Sequence, residues 1–176
     1  NREILLPSHI PEKILHREDQ INQLASILAI ALKGEKPSNI LIFGKTGTGK
    51  TATVKYLGNE MRKLNGKVDY IYMNCEFLDT PYGIIQHIGN LFGQNFEERI
   101  PFTGLSMQKL YAILKERLDS EKRVVIIVLD EIDKLVKKSG DDLLYHLSEI
   151  NEELSKTKIS ILGISNDLNF LQYLDS

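Results

Sequence analysis

The stretch Gly44-Lys45-Thr46-Gly47-Thr48-Gly49-Lys50-Thr51 decides the fold of this chain. It follows the apolar run 40–43, which is typical of a strand, and it precedes Val54, Leu57 and Met61, whose spacing is typical of a helix. Glycines at this spacing let the backbone curl until successive N–H groups point at bound phosphates. A glycine turn that happens to carry a lysine is the alternative. The intact spacing between strand and helix favours a phosphate-binding loop for a nucleoside triphosphate.

Residue types within this loop predict individual roles. Lys50 would reach the β- and γ-phosphates and assist their chemistry, and the Thr51 hydroxyl would ligate Mg²⁺. The predicted nucleotide contacts are Gly44, Lys45, Thr46, Gly47, Thr48, Gly49, Lys50, Thr51 and Ala52.

Length and composition limit the class of protein. The chain has 176 residues, of which 42% are hydrophobic, enough for one buried α/β core. Its formal net charge of −2 does not indicate a polyanion-binding protein, but residues 33–67 carry eight Lys or Arg against two acids, whereas residues 130–153 carry eight acids against three lysines. The single Cys75 excludes an intramolecular disulfide and is expected to be a buried structural thiol. With no apolar run of membrane-spanning length, we expect a soluble intracellular protein.

Apolar periodicity alternates between helix and strand values along the chain. Strands are predicted at about 39–43, 68–73, 124–129 and 158–164. Helices are predicted over 21–32, from the phosphate loop to about 64, over 81–92, 107–118 and 141–154. Strands joined by helices predict an α/β fold in which a mostly parallel sheet is covered by helices on both faces. Ligands of such a fold gather at the carboxyl ends of the strands.

Two acids, Asp130 and Glu131, directly follow the apolar run 124–129 and so lie at that end of the sheet. This is the Walker B arrangement, in which Asp130 would hold Mg²⁺ directly or through water and Glu131 would deprotonate the attacking water. A solvated cap and turn is the alternative. A phosphotransferase must exclude water, so the second acid favours ATP hydrolysis over kinase chemistry. The absence of an Asn-Lys-x-Asp motif disfavours a GTPase.

Asn166 follows the fourth predicted strand, at the same edge of the sheet. Its side-chain amide could hold the attacking water or contact the γ-phosphate, which would make it part of the catalytic set. An Asn-Asp turn is the alternative.

These three elements, with the N-terminal segment 10–18, resemble the AAA+ ATPases. The stretches 11–21, 70–75, 101–106 and 128–135 are similar to archaeal replication initiators related to origin-recognition-complex subunit one and cell-division-control protein six. The resemblance covers essentially the whole chain. Its Walker motifs are shared by many ATPases, whereas the N-terminal segment and the region around Pro101 are more specific.

This resemblance implies a protein that uses ATP or ADP with Mg²⁺, binds double-stranded DNA at replication origins and helps to load the replicative helicase together with other initiator subunits. It implies a cytoplasmic, nucleoid-associated protein with no membrane partner. It also places His16 and Arg17 near the adenine base, although a solvated helix start is an equal alternative. Residues 93–106 fall in an insertion that contacts DNA in this family.

Side chains of that insertion carry groups suited to phosphates. Arg99, Thr103 and Ser106, around Pro101 and Gly104, could donate hydrogen bonds to a DNA backbone. An ordinary surface crossover is the alternative.

Several family features are missing from the sequence. The sequence begins at Asn1 without a methionine and ends at Ser176, and its last arginine is Arg123, so none of the residues 167–176 can serve as an arginine finger. We therefore expect residues 1–176 to be a nucleotide-binding core truncated before a fifth strand, the lid and the winged-helix domain. Strand one should lie near an edge of the sheet, and intrinsic hydrolysis should be slow.

A second function of a different class remains open. The same core serves AAA+ motors, clamp loaders and signalling ATPases that act on protein partners, in which any contact with DNA is incidental. A small-molecule kinase is disfavoured by Glu131.

Overall fold

The structure, a computed structural model of the chain, describes residues 18–64 and 67–174. The strands are β1 (Ile40–Phe43), β2 (Val68–Asn74), β3 (Val124–Asp130) and β4 (Lys158–Ser165). The α-helices are α1 (Glu18–Leu28), α2 (Lys50–Leu64), α3 (Pro81–Leu91), α4 (Met107–Leu118), α5 (Ile132–Ser139) and α6 (Asp142–Glu153). Short 3₁₀-helices cover Ala29–Lys33, Phe96–Glu98 and Phe170–Tyr173.

The four strands form one parallel sheet in the order β1-β4-β3-β2. This confirms the predicted α/β fold with a parallel sheet, and β1 lies at the edge of the sheet within the described residues, as expected. The register pairs Phe43 with Ser165, Asp130 with Ile164, and Asn74 with Asp130. The strands therefore end together, and the chain segments that leave them meet at one edge.

Two hydrophobic layers cover the sheet, one on each face. Alternate residues of β3 point to opposite layers, because successive side chains of a strand face opposite sides. Val125, Ile127 and Leu129 pack with α3 to α6, whereas Val124, Ile126 and Val128 pack with α1 and α2. All seven residues of β3 are buried, which explains the uninterrupted apolar run of its first six.

Two details of the predicted helices differ from the structure. Leu91 fits the apolar pattern of the helix predicted over 81–92, which would place it inward, yet it is 54% exposed, because α3 ends there and its buried face consists of Ile84, Ile85 and Ile88 with Gly89. The Ile100 side chain packs at Gly89, where an added Cβ would lie 2.5 Å from the Ile100 Cδ1 atom. The return of the chain therefore covers α3 at Gly89, while Leu91 lies at the exposed end of the helix.

The short helix α5 was not predicted. It begins directly after Glu131 and buries Ile132, Leu135 and Val136, a one-turn apolar repeat too short to give a clear helical period. Its position matters for function, because it fixes how the chain leaves the end of β3.

Candidate active site

The loop predicted to bind phosphates lies between β1 and α2, and helix α2 begins at Lys50. Gly47 and Gly49 have φ angles of 79° and 86°, in the left-handed region that other residues rarely adopt. The Gly44 N–H donates to the Ser165 carbonyl at 3.3 Å, which ties the loop to the end of β4. The loop is thus shaped by its glycines and anchored to the centre of the sheet.

Lys50 is only 5% exposed, and its ammonium group is held inside this loop. It donates to the carbonyl oxygens of Gly44 at 2.8 Å and Lys45 at 2.9 Å. Because it also begins α2, the lysine charge lies at a helix N-terminus, where the aligned peptide dipoles favour anions. A phosphate entering the loop would meet both the lysine charge and the helix end.

The Asp130 carboxylate accepts hydrogen bonds from three donors. Its Oδ2 atom accepts from the Thr51 hydroxyl at 2.7 Å and from the Tyr72 hydroxyl at 2.6 Å, and its Oδ1 atom accepts from the Glu131 N–H at 2.9 Å. The structure therefore brings together the two residues predicted to hold Mg²⁺, Thr51 and Asp130. Hydroxyl and carboxylate oxygens are the hard ligands that Mg²⁺ prefers, so the donor set suits that ion.

Tyr72 was missed by the sequence analysis. Burial and the hydrogen bond to Asp130 raise the pKa of this tyrosine, so it remains a neutral donor to the carboxylate. The Lys55 ammonium lies 4.4 Å from the centre of the Tyr72 ring. Tyr72 pairs with Val128 in the β2–β3 register, and so it lies beside the end of β3. This placement could be known only from the strand order.

Glu131 has the backbone conformation φ 53°, ψ 41°, and it is the one non-glycine residue with positive φ in the described parts of the chain. Such a conformation costs about 1–3 kcal/mol and often marks functional sites. Burial, followed by the negative charges of Glu76, Asp130 and Asp133, raises the pKa of the Glu131 carboxyl group, while Lys134 opposes the shift. A raised pKa makes the ionised carboxylate a better proton acceptor.

Asn166 lies at the same edge, one residue beyond β4. Its backbone N–H donates to Asp133 Oδ1 at 3.3 Å, and the Ser165 hydroxyl donates to the same oxygen at 3.0 Å. Buried Asp133, which the sequence analysis did not single out, thus positions the turn that carries Asn166. Within the described residues the Asn166 side chain makes no hydrogen bond, so its amide remains available to a ligand.

A cavity of about 460 Å³ adjoins Lys50 and Thr53 and extends between β1 and α1. Leu24, Ile27 and the four residues of β1 line it together with Gln20 and Gln23, so the compartment beside the phosphate loop has a mixed apolar and polar lining. His16 and Arg17, predicted to lie near the adenine base, are outside the described residues. A larger cavity, of about 630 Å³ between α4 and α6, contains none of the predicted site residues, so volume alone does not identify the site.

Cys75 is fully buried beside the site, as predicted for a structural thiol. Burial and the nearby charge of Asp130 raise the pKa of this thiol to about 12. The thiol therefore stays protonated and is a poor nucleophile.

The three candidate DNA contacts lie elsewhere, in the exposed segment between α3 and α4. The Arg99 guanidinium carbon lies 5.6 Å from the centre of the Phe96 ring, and Thr103 is exposed. Ser106 caps α4, with its oxygen accepting from the Lys109 N–H at 3.3 Å. This capping role was not expected, and it fixes the Ser106 hydroxyl at the start of α4.

The segment is anchored at its centre by the backbone of Ile100. Its carbonyl accepts from the side chains of Gln86 at 3.1 Å and Asn90 at 3.3 Å, and its N–H donates to Asn90 at 2.8 Å. Arg99 therefore projects from a fixed backbone. Two exposed aromatic rings flank it, those of Phe96 and Phe102, which are 83% and 84% exposed.

The residues that the structure describes contain no group of three or more His, Cys, Asp and Glu side chains arranged to hold a metal ion. None of their helices is long and apolar enough to cross a membrane.

The chain is similar in sequence to one protein family and to several DNA replication proteins. The AAA domain family matches residues 33–171. The chain is 52% identical to the ORC1-type DNA replication protein of Thermococcus kodakarensis and 49% identical to ORC1-type DNA replication protein 1 of Methanosarcina mazei. These matches cover 100% and 99% of this chain but 43% and 42% of those proteins.

Among solved structures, the chain resembles the Aeropyrum pernix ORC1 protein, determined in complex with DNA. The TM-score is 0.82 at 41% identity, and the match covers 99% of this chain and 45% of that one. The chain thus spans less than half the length of these relatives.

Proposed function

This chain belongs to the AAA domain family, alongside the archaeal ORC1-type DNA replication proteins, and on that basis we propose that it binds ATP with Mg²⁺ and hydrolyses it. Residues 1–176 would form the nucleotide-binding core of an origin-recognition protein. The observation that carries the proposal is the 2.7 Å hydrogen bond between Thr51 and Asp130, which joins the phosphate loop to the acid that ends β3.

Each residue of the site has a proposed task. Lys50 binds the β- and γ-phosphates, and the loop from Gly44 to Ala52 surrounds them with backbone N–H groups. Thr51 and Asp130 hold Mg²⁺, which supplies positive charge against the phosphate oxygens when bound. Glu131 accepts the proton of the attacking water, and Asn166 orients that water or the γ-phosphate.

Two features of Glu131 support its proposed role as the general base. Glu131 carries a raised pKa, and its backbone is held in an unfavourable conformation by the start of α5. A group prepared in this way suits proton abstraction from water. His16 and Arg17 remain proposed contacts of the adenine base.

We also propose that the whole protein binds double-stranded DNA at replication origins and helps to load the replicative helicase with other initiator subunits. The sequence relatives are DNA replication proteins, and the similar Aeropyrum pernix structure was determined with DNA. A cytoplasmic, nucleoid-associated location is part of this proposal. Arg99, Thr103 and Ser106 would donate to phosphates from the segment between α3 and α4.

Asp130→Asn tests the proposed metal site. The substitution removes the negative charge and keeps one side-chain oxygen, so we expect the Mg²⁺ concentration needed for tight ATP binding to rise by about 10- to 100-fold. Titration of ATP at several Mg²⁺ concentrations measures this, while affinity without Mg²⁺ should change little.

Tyr72→Phe is the graded comparison for this experiment. It removes one hydrogen bond to the same Asp130 oxygen but leaves the carboxylate in place. The Mg²⁺ concentration that it needs should rise less than in Asp130→Asn, because the negative charge that would hold the ion is kept. An Asp130→Asn protein that folds and retains the original Mg²⁺ dependence contradicts the assignment of Asp130.

Arg99→Ala tests the proposed DNA contact. If the guanidinium contacts the backbone, duplex binding should weaken and the slope of log K against log salt should fall by about one, because one fewer phosphate contact releases about one fewer counterion. Fluorescence anisotropy over a salt series measures both. Origin and random duplexes should weaken alike, since phosphates carry no sequence information.

Lys138→Ala provides a control of equal charge change, because this exposed lysine pairs with Asp79 on another surface. It should leave the salt slope unchanged. If Arg99→Ala also leaves affinity and slope unchanged, the segment is an ordinary crossover. ATP affinity should be the same in both variants.

A further inference from the structure

A concave surface of about 410 Å³ lies at the amino-terminal ends of the strands, and five basic side chains line it. They are Lys33, Lys67, Lys122, Arg123 and Lys156, and together we name them the basic edge. No acidic side chain lines this surface in the described part of the chain. It is at the end of the sheet opposite the phosphate loop, separated from Asp130 by the seven residues of β3, or roughly 20 Å.

The nearby carboxylates are already engaged. Arg123 forms ion pairs with Asp69 at 3.3 Å and Glu121 at 2.8 Å. Asp119 accepts backbone hydrogen bonds from Lys156 at 2.7 Å, Thr157 at 3.0 Å and Ser155 at 3.1 Å, and these bonds hold the pKa of Asp119 well below its usual range.

Five basic side chains face the four nearby carboxylates of Glu35, Asp69, Asp119 and Glu121, so the basic edge keeps a small positive excess. Lys33, Lys122 and Lys156 form no ion pair with the carboxylates that the structure describes. Glu35 is exposed and follows Gly34 in the chain, but it does not line the surface.

Hydrogen bonds fix the turns that carry these lysines. The Thr157 hydroxyl donates to the carbonyls of Leu118 at 2.6 Å and Glu121 at 2.8 Å, which joins the turn that bears Lys122 to the turn that bears Lys156. The Lys158 ammonium donates to the Gly34 carbonyl at 3.3 Å, beside Lys33. A surface held in this way loses little backbone freedom when it binds a ligand.

One residue of the basic edge contacts Phe92, which directly precedes the segment that carries Arg99. The Arg123 guanidinium carbon lies 5.1 Å from the centre of the Phe92 ring, where the chain leaves α3 toward that segment. Lysines spread over separate turns suit the successive phosphates of a polymer better than one small anion. A polymer bound to these lysines would not cover the proposed nucleotide site, which lies at the opposite end of the sheet.

We propose that the basic edge binds the phosphodiester backbone of duplex DNA, as a second contact surface beside the segment that carries Arg99. The inference rests on the proposed DNA-binding function and extends it to the amino-terminal end of the sheet. Lys122 and Lys156 contact the phosphates, and the rigid turns beneath them set their spacing.

The test compares four proteins by anisotropy on a duplex of arbitrary sequence over a salt series. They are the unmodified protein, Lys122→Gln with Lys156→Gln, Lys122→Arg with Lys156→Arg, and Lys137→Gln with Lys138→Gln. The last pair removes the same formal charge at the opposite end of the sheet, from lysines paired with Asp167 and Asp79. ATP affinity and thermal unfolding are measured for each protein.

The glutamine variant of the basic edge should lower the salt slope by about two and weaken binding by roughly ten- to a hundredfold at about 0.1 M salt. The arginine variant should bind like the unmodified protein, and the Lys137 and Lys138 variant should keep its slope. ATP affinity should be equal in all four.

An unchanged slope in a folded glutamine variant, while the unmodified protein binds duplex, overturns this inference alone. An equal loss in the Lys137 and Lys138 variant also overturns it, because the effect would then reflect total charge. If the unmodified protein binds no duplex even at low salt, the DNA-binding part of the proposed function fails as well.

Discussion

Glu131→Gln is expected to leave ATP bound while slowing hydrolysis by about two to four orders of magnitude, the usual contribution of a general base. Glutamine has nearly the same shape, so it can begin α5 in the same backbone conformation, but its amide cannot accept the proton of water. Single-turnover hydrolysis, started from preformed protein with ATP, separates this loss from any change in binding. A rate equal to that of the unmodified protein would place the base elsewhere.

Glu76→Gln provides a matched control, because it removes the same charge from a neighbouring glutamate that is not proposed to touch water. It should hydrolyse ATP at a similar rate near neutral pH. The negative charge of Glu76 helps to raise the pKa of Glu131, so its removal lowers that pKa. Glu131 then stays ionised to lower pH, and the acid limb of the rate profile should shift toward lower pH.

Lys50→Ala is expected to weaken ATP binding by roughly two orders of magnitude or more. The ammonium group is buried in the phosphate loop, where it would pair with the phosphates of ATP. Removing one partner of a buried charge pair costs about 2–5 kcal/mol of binding free energy. Alanine is a strong helix former, so α2 should still begin at the same place. Calorimetric titration of ATP measures the change.

Lys63→Ala is the corresponding control on the same helix. Lys63 lies in the last turn of α2 and pairs with Glu60, so its loss removes the same charge far along the helix from the phosphate loop. ATP affinity should be unaltered. Equal affinity in Lys50→Ala, confirmed to be folded, would mean that phosphates bind somewhere else.

The elements that could be predicted from sequence are those with a strong local pattern. The run of six apolar residues in β3 indicates a buried strand, and the glycine spacing of the phosphate loop indicates a phosphate-binding turn. Parallel strands then bring Asp130 and Asn166 to one edge. The resemblance to archaeal replication initiators is confirmed by the similarity to ORC1-type proteins, whereas the roles of individual site residues stay predictions.

The features that could not be predicted depend on contacts between distant parts of the chain. Tyr72 reaches Asp130 only because β2 pairs with β3 in one register, and Asp133 supports Asn166 only because α5 turns back over the end of β4. Leu91 fits a helical pattern but lies where α3 ends and the sheet gives it no partner. Local periodicity contains no information on any of these three.

The pairing of β1 with β4 has a consequence for the order in which the protein assembles. Ile40 pairs with Leu162, and β4 is the only sheet partner of β1 in the described residues. During synthesis, β1 and the phosphate loop emerge long before the strand that must hold them, and such distant parallel pairing forms slowly. The anchoring bond from Gly44 to Ser165 must wait for the same event. We therefore expect nucleotide binding to become possible only late in folding, when nearly all of this sequence has left the ribosome.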